Sequence, residues 1–252
     1  KTFGAPLGKL WDDYRDHVPV AGESAPVPLT KNGFLQQYPC PLGKERLLYY
    51  RRNYQSRGEV VVLDLKTDHE KALFKMDAVN GLHCPEKEGR ILFSALDHFH
   101  AFSEFSDLYE YDLKKGRLHR LSRGLRLMHP VGKGNADEID CVQRSGGSYH
   151  LARFDARLGS VRRLSRSFAG MAQPSPSPDC TRIAAAVKLE GGPWGIGLFA
   201  GNGEMQALIA LAKSDLSQPR WQDNERLFFI VSGKETSRLA SLELDGSMGR
   251  VC

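Results

Sequence analysis

The chain repeats itself about every 45 residues, and this period constrains the fold more than any other feature. Five prolines each precede a polar turn and then an apolar run: Pro39, Pro85, Pro130, Pro174 and Pro219. Successive gaps are 46, 45, 44 and 45 residues. The runs that follow are RLLYY (46–50), RILFSAL (90–96), EIDCV (138–142), RIAAAV (182–187) and RLFFIV (226–231). Each unit then carries a second run: EVVVLDL (59–65), DLYEYDL (107–113), YHLARFD (149–155), IGLFAGNG (196–203) and RLASLELDG (238–246). Four of these second runs hold an aspartate near their end, at Asp64, Asp112, Asp155 and Asp245. A third marker closes each unit, at Leu73, Leu121–Ser122, Leu164–Ser165, Leu208 and Val251, and Leu29–Thr30 reads as an earlier copy.

The runs are short, rich in β-branched and aromatic residues, and separated by Gly, Asp, Ser and Pro turns, which is the pattern of strands. Helical periodicity is absent across residues 29–252. A unit of this length allows four short strands. One such sheet cannot bury both its faces alone, whereas radial repetition packs each sheet on the next and leaves only short edges. The expected fold class is therefore all-β: a β-propeller of about five four-stranded blades over residues 29–252, anchored at the five prolines. The residues leading to each proline form the innermost strand, because a proline without an N–H suits a strand end or an irregularity. Leu29–Thr30 makes six outer-strand markers against five inner ones. That asymmetry predicts a larger propeller, continuing past Cys252 by at least one repeat. A closed five-bladed ring with residues 27–30 as lead-in is the alternative.

Residues 174–184 read PSPSPDCTRIA. This resembles the P-x-x-S-P-D-G-x-x-I-A repeat of TolB-like (WD40-like) propellers, a group related to the propellers of prolyl oligopeptidases, with Cys180 in place of the usual Gly. PRWQDNERLFF (219–229) is similar to the same motif with Ser-Pro lost. The resemblance speaks for fold and little for function, since such scaffolds host many activities. It implies a bacterial periplasmic or extracellular setting and a multidomain parent.

The first 18 residues differ. Leu7, Leu10, Trp11 and Tyr14 fall at helical spacing behind Pro6, so residues 1–18 are expected to form one amphipathic helix. The segment resembles the end of the catalytic domain in gluzincin-type metallopeptidases that carry a following propeller. It would then be the tail of an upstream domain of the same parent protein, and the Pro- and Ala-rich residues 19–28 a linker.

Composition and motifs exclude several classes. Thirty-five basic against 30 acidic residues leave a net charge of +5, spread along the chain, so no nucleic-acid partner is expected. No apolar stretch approaches 18 residues, so no membrane insertion is expected. Among the five cysteines (Cys40, Cys84, Cys141, Cys180, Cys252) there is no C-x-x-C pair, and their disulfide state stays open. Cys40 and Cys84 belong to neighbouring units, which could bring them close. H-E-x-x-H, G-x-S-x-G, P-loop and dinucleotide motifs are all missing. No catalytic residue, cofactor site or metal site is assigned.

DHFHAFSEFSD (97–107) places His98 and His100 among Asp97, Glu104 and Asp107, but reads as a long solvated loop between two strands. Asp137, Glu138 and Asp140 read as an acidic surface turn without calcium-loop spacing. Arg117, Arg120, Arg123 and Arg126, echoed by Arg162, Arg163 and Arg166, read as decoration of the outer rim.

The candidate channel-lining residues are those at or just before the prolines: Tyr38, His83, Cys84, His129, Gln173 and Gln218. No acid stands among them, which weakens an enzymatic reading. The favoured expectation is a non-catalytic module that presents a rim and a channel mouth to a protein or peptide. The rival is a channel-sited enzyme or a binder of a small ligand or metal, through His83 and His129.

Overall fold

A computed structural model describes residues 29–30, 35–53, 55–85, 89–100, 103–132, 137–234 and 236–244. The chain divides into two units, 1–33 and 34–252. Of the first, only Leu29 and Thr30 are described, and neither lies in a strand; the residues that flank them lie outside the described residues. The helix expected over 1–18 and the linker over 19–28 lie outside the described residues, as do Asp245 and Val251. No described residue is helical.

The second unit is a five-bladed β-propeller. Blade one is β1 (Leu35–Pro41), β2 (Arg46–Arg52), β3 (Glu59–Asp64) and β4 (Glu70–Lys75). Blade two is β5 (Val79–His83), β6 (Arg90–His100), β7 (Ser103–Asp112) and β8 (Arg117–Arg120). Blade three is β9 (Leu127–Gly132), β10 (Glu138–Ser145), β11 (Ser148–Asp155) and β12 (Ser160–Arg163). Blade four is β13 (Gly170–Pro176), β14 (Arg182–Lys188), β15 (Trp194–Ala200) and β16 (Met205–Ile209). Blade five has three strands among the described residues: β17 (Asp215–Trp221), β18 (Arg226–Ser232) and β19 (Ser237–Glu243). Each blade is an antiparallel meander in chain order.

The repeat markers now have physical roles. The aspartates that end the third strands close the next turn. Asp64 accepts hydrogen bonds from the N–H groups of Lys66 and Thr67, Asp112 from those of Lys114 and Lys115, and Asp155 from those of Arg157 and Leu158. The serines of the Leu-Ser markers stop the fourth strand. Ser122 Oγ accepts from the Leu108 N–H and Ser165 Oγ from the Leu151 N–H, each at 2.9 Å.

Burial explains why the second strands read as unbroken apolar runs. Both faces of a middle strand are covered by neighbouring blades, so alternation disappears. Ile183 to Val187 are all buried in β14. Consecutive blades share cores. Leu48, Tyr50 and Val60 meet Ile91 and Phe93; Leu92 and Leu108 meet Ile139 and Phe154. Val142 and Leu151 meet Ile183 and Phe199; Ala186 and Ile196 meet Leu227 and Phe229.

Three expectations need correction. The segment 97–107 is no loop: β6 runs through His100, and β7 starts at Ser103 and pairs back along it. Asp97 accepts from the Tyr109 hydroxyl and from Arg120, so its polarity is spent on holding the hairpin. Asp140 is no surface residue either. It is wholly buried and accepts from Arg153 Nε at 2.7 Å. Nor is Arg120 rim decoration, because it binds the fully buried Asp107 at 2.5 Å.

Candidate functional site

The five first strands β1, β5, β9, β13 and β17 surround the central channel. Each carries one β-bulge, where two residues face a single step of the second strand. In blades one, four and five the register shifts across Tyr38–Pro39, Gln173–Pro174 and Gln218–Pro219. In blade three it shifts across His129–Pro130. Bulges re-aim side chains and interrupt pairing, which suits a channel wall. The missing N–H of proline is tolerated because the bulge leaves that position unpaired.

The residue before each of these four prolines takes a left-handed backbone: Tyr38 at φ 57°, His129 at 51°, Gln173 at 53° and Gln218 at 53°. Non-glycine residues seldom adopt this conformation, which costs on the order of 1–3 kcal/mol each. Blade two breaks the pattern in an informative way. Its bulge lies between Val79 and Leu82, and its residue with positive φ is Gly81, at 155°. Register therefore aligns Gly81 with His129 and Leu82 with Pro130. Pro85 is three residues out of step, so the anchor expected there is corrected to Leu82. Gly81 is required sterically, since a Cβ on it would lie 2.7 Å from the His129 Cα. With no side chain at Gly81, the rings of Tyr38 and His129 approach edge-on, at 6.4 Å between centroids.

The walls enclose a cavity of about 720 Å³, within the range of small-molecule and peptide sites. Of the six candidate residues, Tyr38, His83, Cys84, His129 and Gln173 line it. Gln218 is not part of the lining; its N–H donates to Gln173 Oε1 at 2.8 Å and fixes that amide. Similar bonds tie other blades together around the channel. The Cys84 N–H donates to Cys40 Sγ at 3.1 Å, the His129 N–H to Ser94 Oγ at 3.0 Å, and Trp221 Nε1 to the Ser175 carbonyl at 2.9 Å. Cys40 and Cys84 thus meet as neighbouring blades allowed, and both are free thiols.

The electrostatics set the chemistry. Burial, with Arg220 nearby, pushes the imidazoles of His83 and His129 down to about 4, so both are neutral at pH 7. Burial pushes the Cys84 thiol up to about 12 and raises Cys40, so neither is a thiolate. Among the described lining residues there is no Asp or Glu, and Arg220 is the only one charged at pH 7. Sequence reading stopped at the residues before the prolines and missed Arg220, which follows Pro219. The available signal was its bulge position: Cys40, His83, Val131 and Ser175 stand there in the other blades, all without charge. Among the described residues, no group of three or more His, Cys, Asp or Glu is placed to hold a metal.

At the level of sequence, neither a family profile nor an individual characterised protein matches the chain. Solved structures do. TolB from Acinetobacter baumannii superposes with a TM-score of 0.70 at 17% identity, over 90% of this chain and 58% of that one. The chain has the TolB-like propeller fold. A putative TolB from Agrobacterium tumefaciens gives a TM-score of 0.70 at 14% identity, over 88% of this chain and 82% of that one. A puromycin-hydrolyzing peptidase from Mycobacterium tuberculosis gives 0.62 at 20% identity, over 89% of this chain but 39% of its own. The chain spans 58% of the Acinetobacter TolB and 39% of the peptidase it matches.

Proposed function

We propose that this TolB-like propeller is a non-catalytic binding module, which receives a protein or peptide segment at its channel, within a larger bacterial periplasmic or extracellular protein. The observation that carries the reading is the channel wall. It is a wide, rigid cup of bulged strands tied from blade to blade, and it holds no carboxylate and no thiolate among its described residues. General acid–base chemistry asks for groups that change protonation near the working pH, and His83 and His129 are held well below it. Hydrogen-bonding side chains such as Gln173 and Tyr38 suit recognition. The likeness to TolB structures supports this reading, as does the preference of rigid scaffolds for function at their openings. Among the described residues no helix is long and apolar enough to cross a membrane.

A second reading keeps the channel but makes it a site for a small ligand or metal, through the two neutral imidazoles of His83 and His129. Neutral imidazole is the metal-binding form, which favours this alternative over an acid–base enzyme.

Peptide display against the whole protein tests the first reading. Selected peptides should bind the native protein and lose at least tenfold in affinity to a Tyr38→Ala/Gln173→Ala double variant. Equal binding to both would remove the channel as the docking site. Stoichiometric zinc or manganese in the purified protein, lost in a His83→Ala/His129→Ala variant, would favour the second reading.

A further inference from the structure

Among its described lining residues the channel holds one charge and no counter-charge, and that imbalance asks for an explanation. Arg220 follows the bulge of β17, which turns its side chain toward the cavity. Among the described residues its one hydrogen bond goes from Nη1 to the Pro219 carbonyl at 3.0 Å, and no carboxylate pairs with it. Solvent reaches the guanidinium through the lumen, yet protein surrounds it on the other sides, and that burial disfavours its charged form. A guanidinium does not give up its proton in a protein, so Arg220 stays cationic in the lumen. Five N–H donors in a fixed fork, one of them used, leave the rest for a ligand.

We propose that the channel is a receptor for a carboxylate group, gripped by the Arg220 fork. The chemistry of the walls supports the choice of an anion. The positions equivalent to Arg220 are Cys40, His83, Val131 and Ser175, which offer no negative charge to compete. Neutral His83 and His129 and the amide of Gln173 add hydrogen-bond donors around the same space without adding charge. A planar carboxylate matches the guanidinium in a bidentate pair, the strongest form of this contact. The peptide as carrier of that carboxylate rests on the function proposed above; the carboxylate site itself does not.

Trp221 lines the same cavity beside Arg220, so its fluorescence reports occupancy, and a calorimetric titration gives affinity. The probes are acetyl-Gly-Gly-Ala with a free C-terminus, acetyl-Gly-Gly-Glu-amide, the amides acetyl-Gly-Gly-Ala-amide and acetyl-Gly-Gly-Gln-amide, and free glutarate. The expected result is binding of the carboxylate probes at least tenfold tighter than their amide counterparts. That preference should vanish in Arg220→Gln and survive in part in Arg220→Lys, which keeps the charge but loses the fork. Thermal melts of both variants check that they fold. If carboxylate and amide peptides bind alike, or if the preference survives Arg220→Gln, the carboxylate site is wrong while peptide binding stands. If glutarate alone binds, and loses affinity in Arg220→Gln, the carboxylate site stands and the peptide reading fails. If no probe binds, both are overturned.

Discussion

Arg153 and Arg220 carry the same charge on opposite terms: Arg153 is largely buried against its partners, whereas Arg220 is exposed within the lumen. Arg153, in β11, lays its Nε 2.7 Å from the wholly buried Asp140 and its Nη2 3.2 Å from the Gly201 carbonyl, with Glu138 also in reach. Arg120 repeats the arrangement in blade two with Asp107 and Asp97. Ser122 and the Gly124 N–H complete the shell of Asp107. These charges are satisfied mostly within their own blades, with the Gly201 carbonyl of blade four added at Arg153, and they fix strands to each other. Among the described residues, Arg220 has only its neighbour's carbonyl. A charge buried with its partner belongs to the architecture; one exposed inside a cavity, with no carboxylate partner among the described residues, stands ready for something that arrives.

The largest effect expected at neutral pH comes from breaking the satisfied pair. Asp140→Ala should destabilise the propeller by about 3–5 kcal/mol, because Arg153 is left under-solvated. The urea midpoint at unchanged slope measures it. Adding Arg153→Met to Asp140→Leu should recover most of that loss, and a failure to recover would show that the pair matters beyond charge compensation.

A different break appears only below pH 6.5, where the channel adds an acid limb of its own. His83 and His129 have folded pKa values near 4 against 6.5 when free, with Arg220 facing both and Arg90 facing His83. Above pH 6.5 both are neutral folded or unfolded, so they make no difference. Between pH 6.5 and 4 the unfolded chain takes up protons that the folded channel refuses. Across that window each histidine lowers stability by about 1.4 kcal/mol for every pH step of one. A His83→Gln/His129→Gln variant should lose less stability than the native protein over the same range. Parallel curves for the two proteins would mean that the channel does not exclude protons.

The smallest effect sharpens the contrast most. Arg220→Met should leave stability within about 0.5 kcal/mol of the native protein, since the guanidinium is exposed in the lumen and pairs with no carboxylate among the described residues. A loss comparable to that of Asp140→Ala would place Arg220 with the architectural arginines and end the distinction.

Much of the fold is legible along the chain. The 45-residue period, the apolar second strands and the aspartate turns follow from local chemistry, and they assemble the blades as expected. Blade two shows where that legibility stops. Pro85 keeps the spacing but not the register, and a glycine inside β5 suggests nothing by itself. Gly81 matters only because His129, 48 residues later, packs against it. The segment 97–107 looked like a loop because His, Asp and Ser are poor strand formers; its pairing along β7 overrode that preference.

The sequence by itself determined the architecture of this protein, because strand, turn and repeat are decided by neighbours along the chain. It determined most of the candidate channel wall too, since the bulge recurs beside the prolines in four of the five blades. Only the tertiary structure decided which charges are satisfied. Asp140 looked like a surface acid and is sealed against Arg153; Arg220 looked like one basic residue among 35 Lys and Arg and stands alone in the channel. The physical reason is that pairing and desolvation depend on distance through space. Asp140 and Arg153 across one hairpin, or Cys40 and Arg220 across the channel, become neighbours only when the blades close around it.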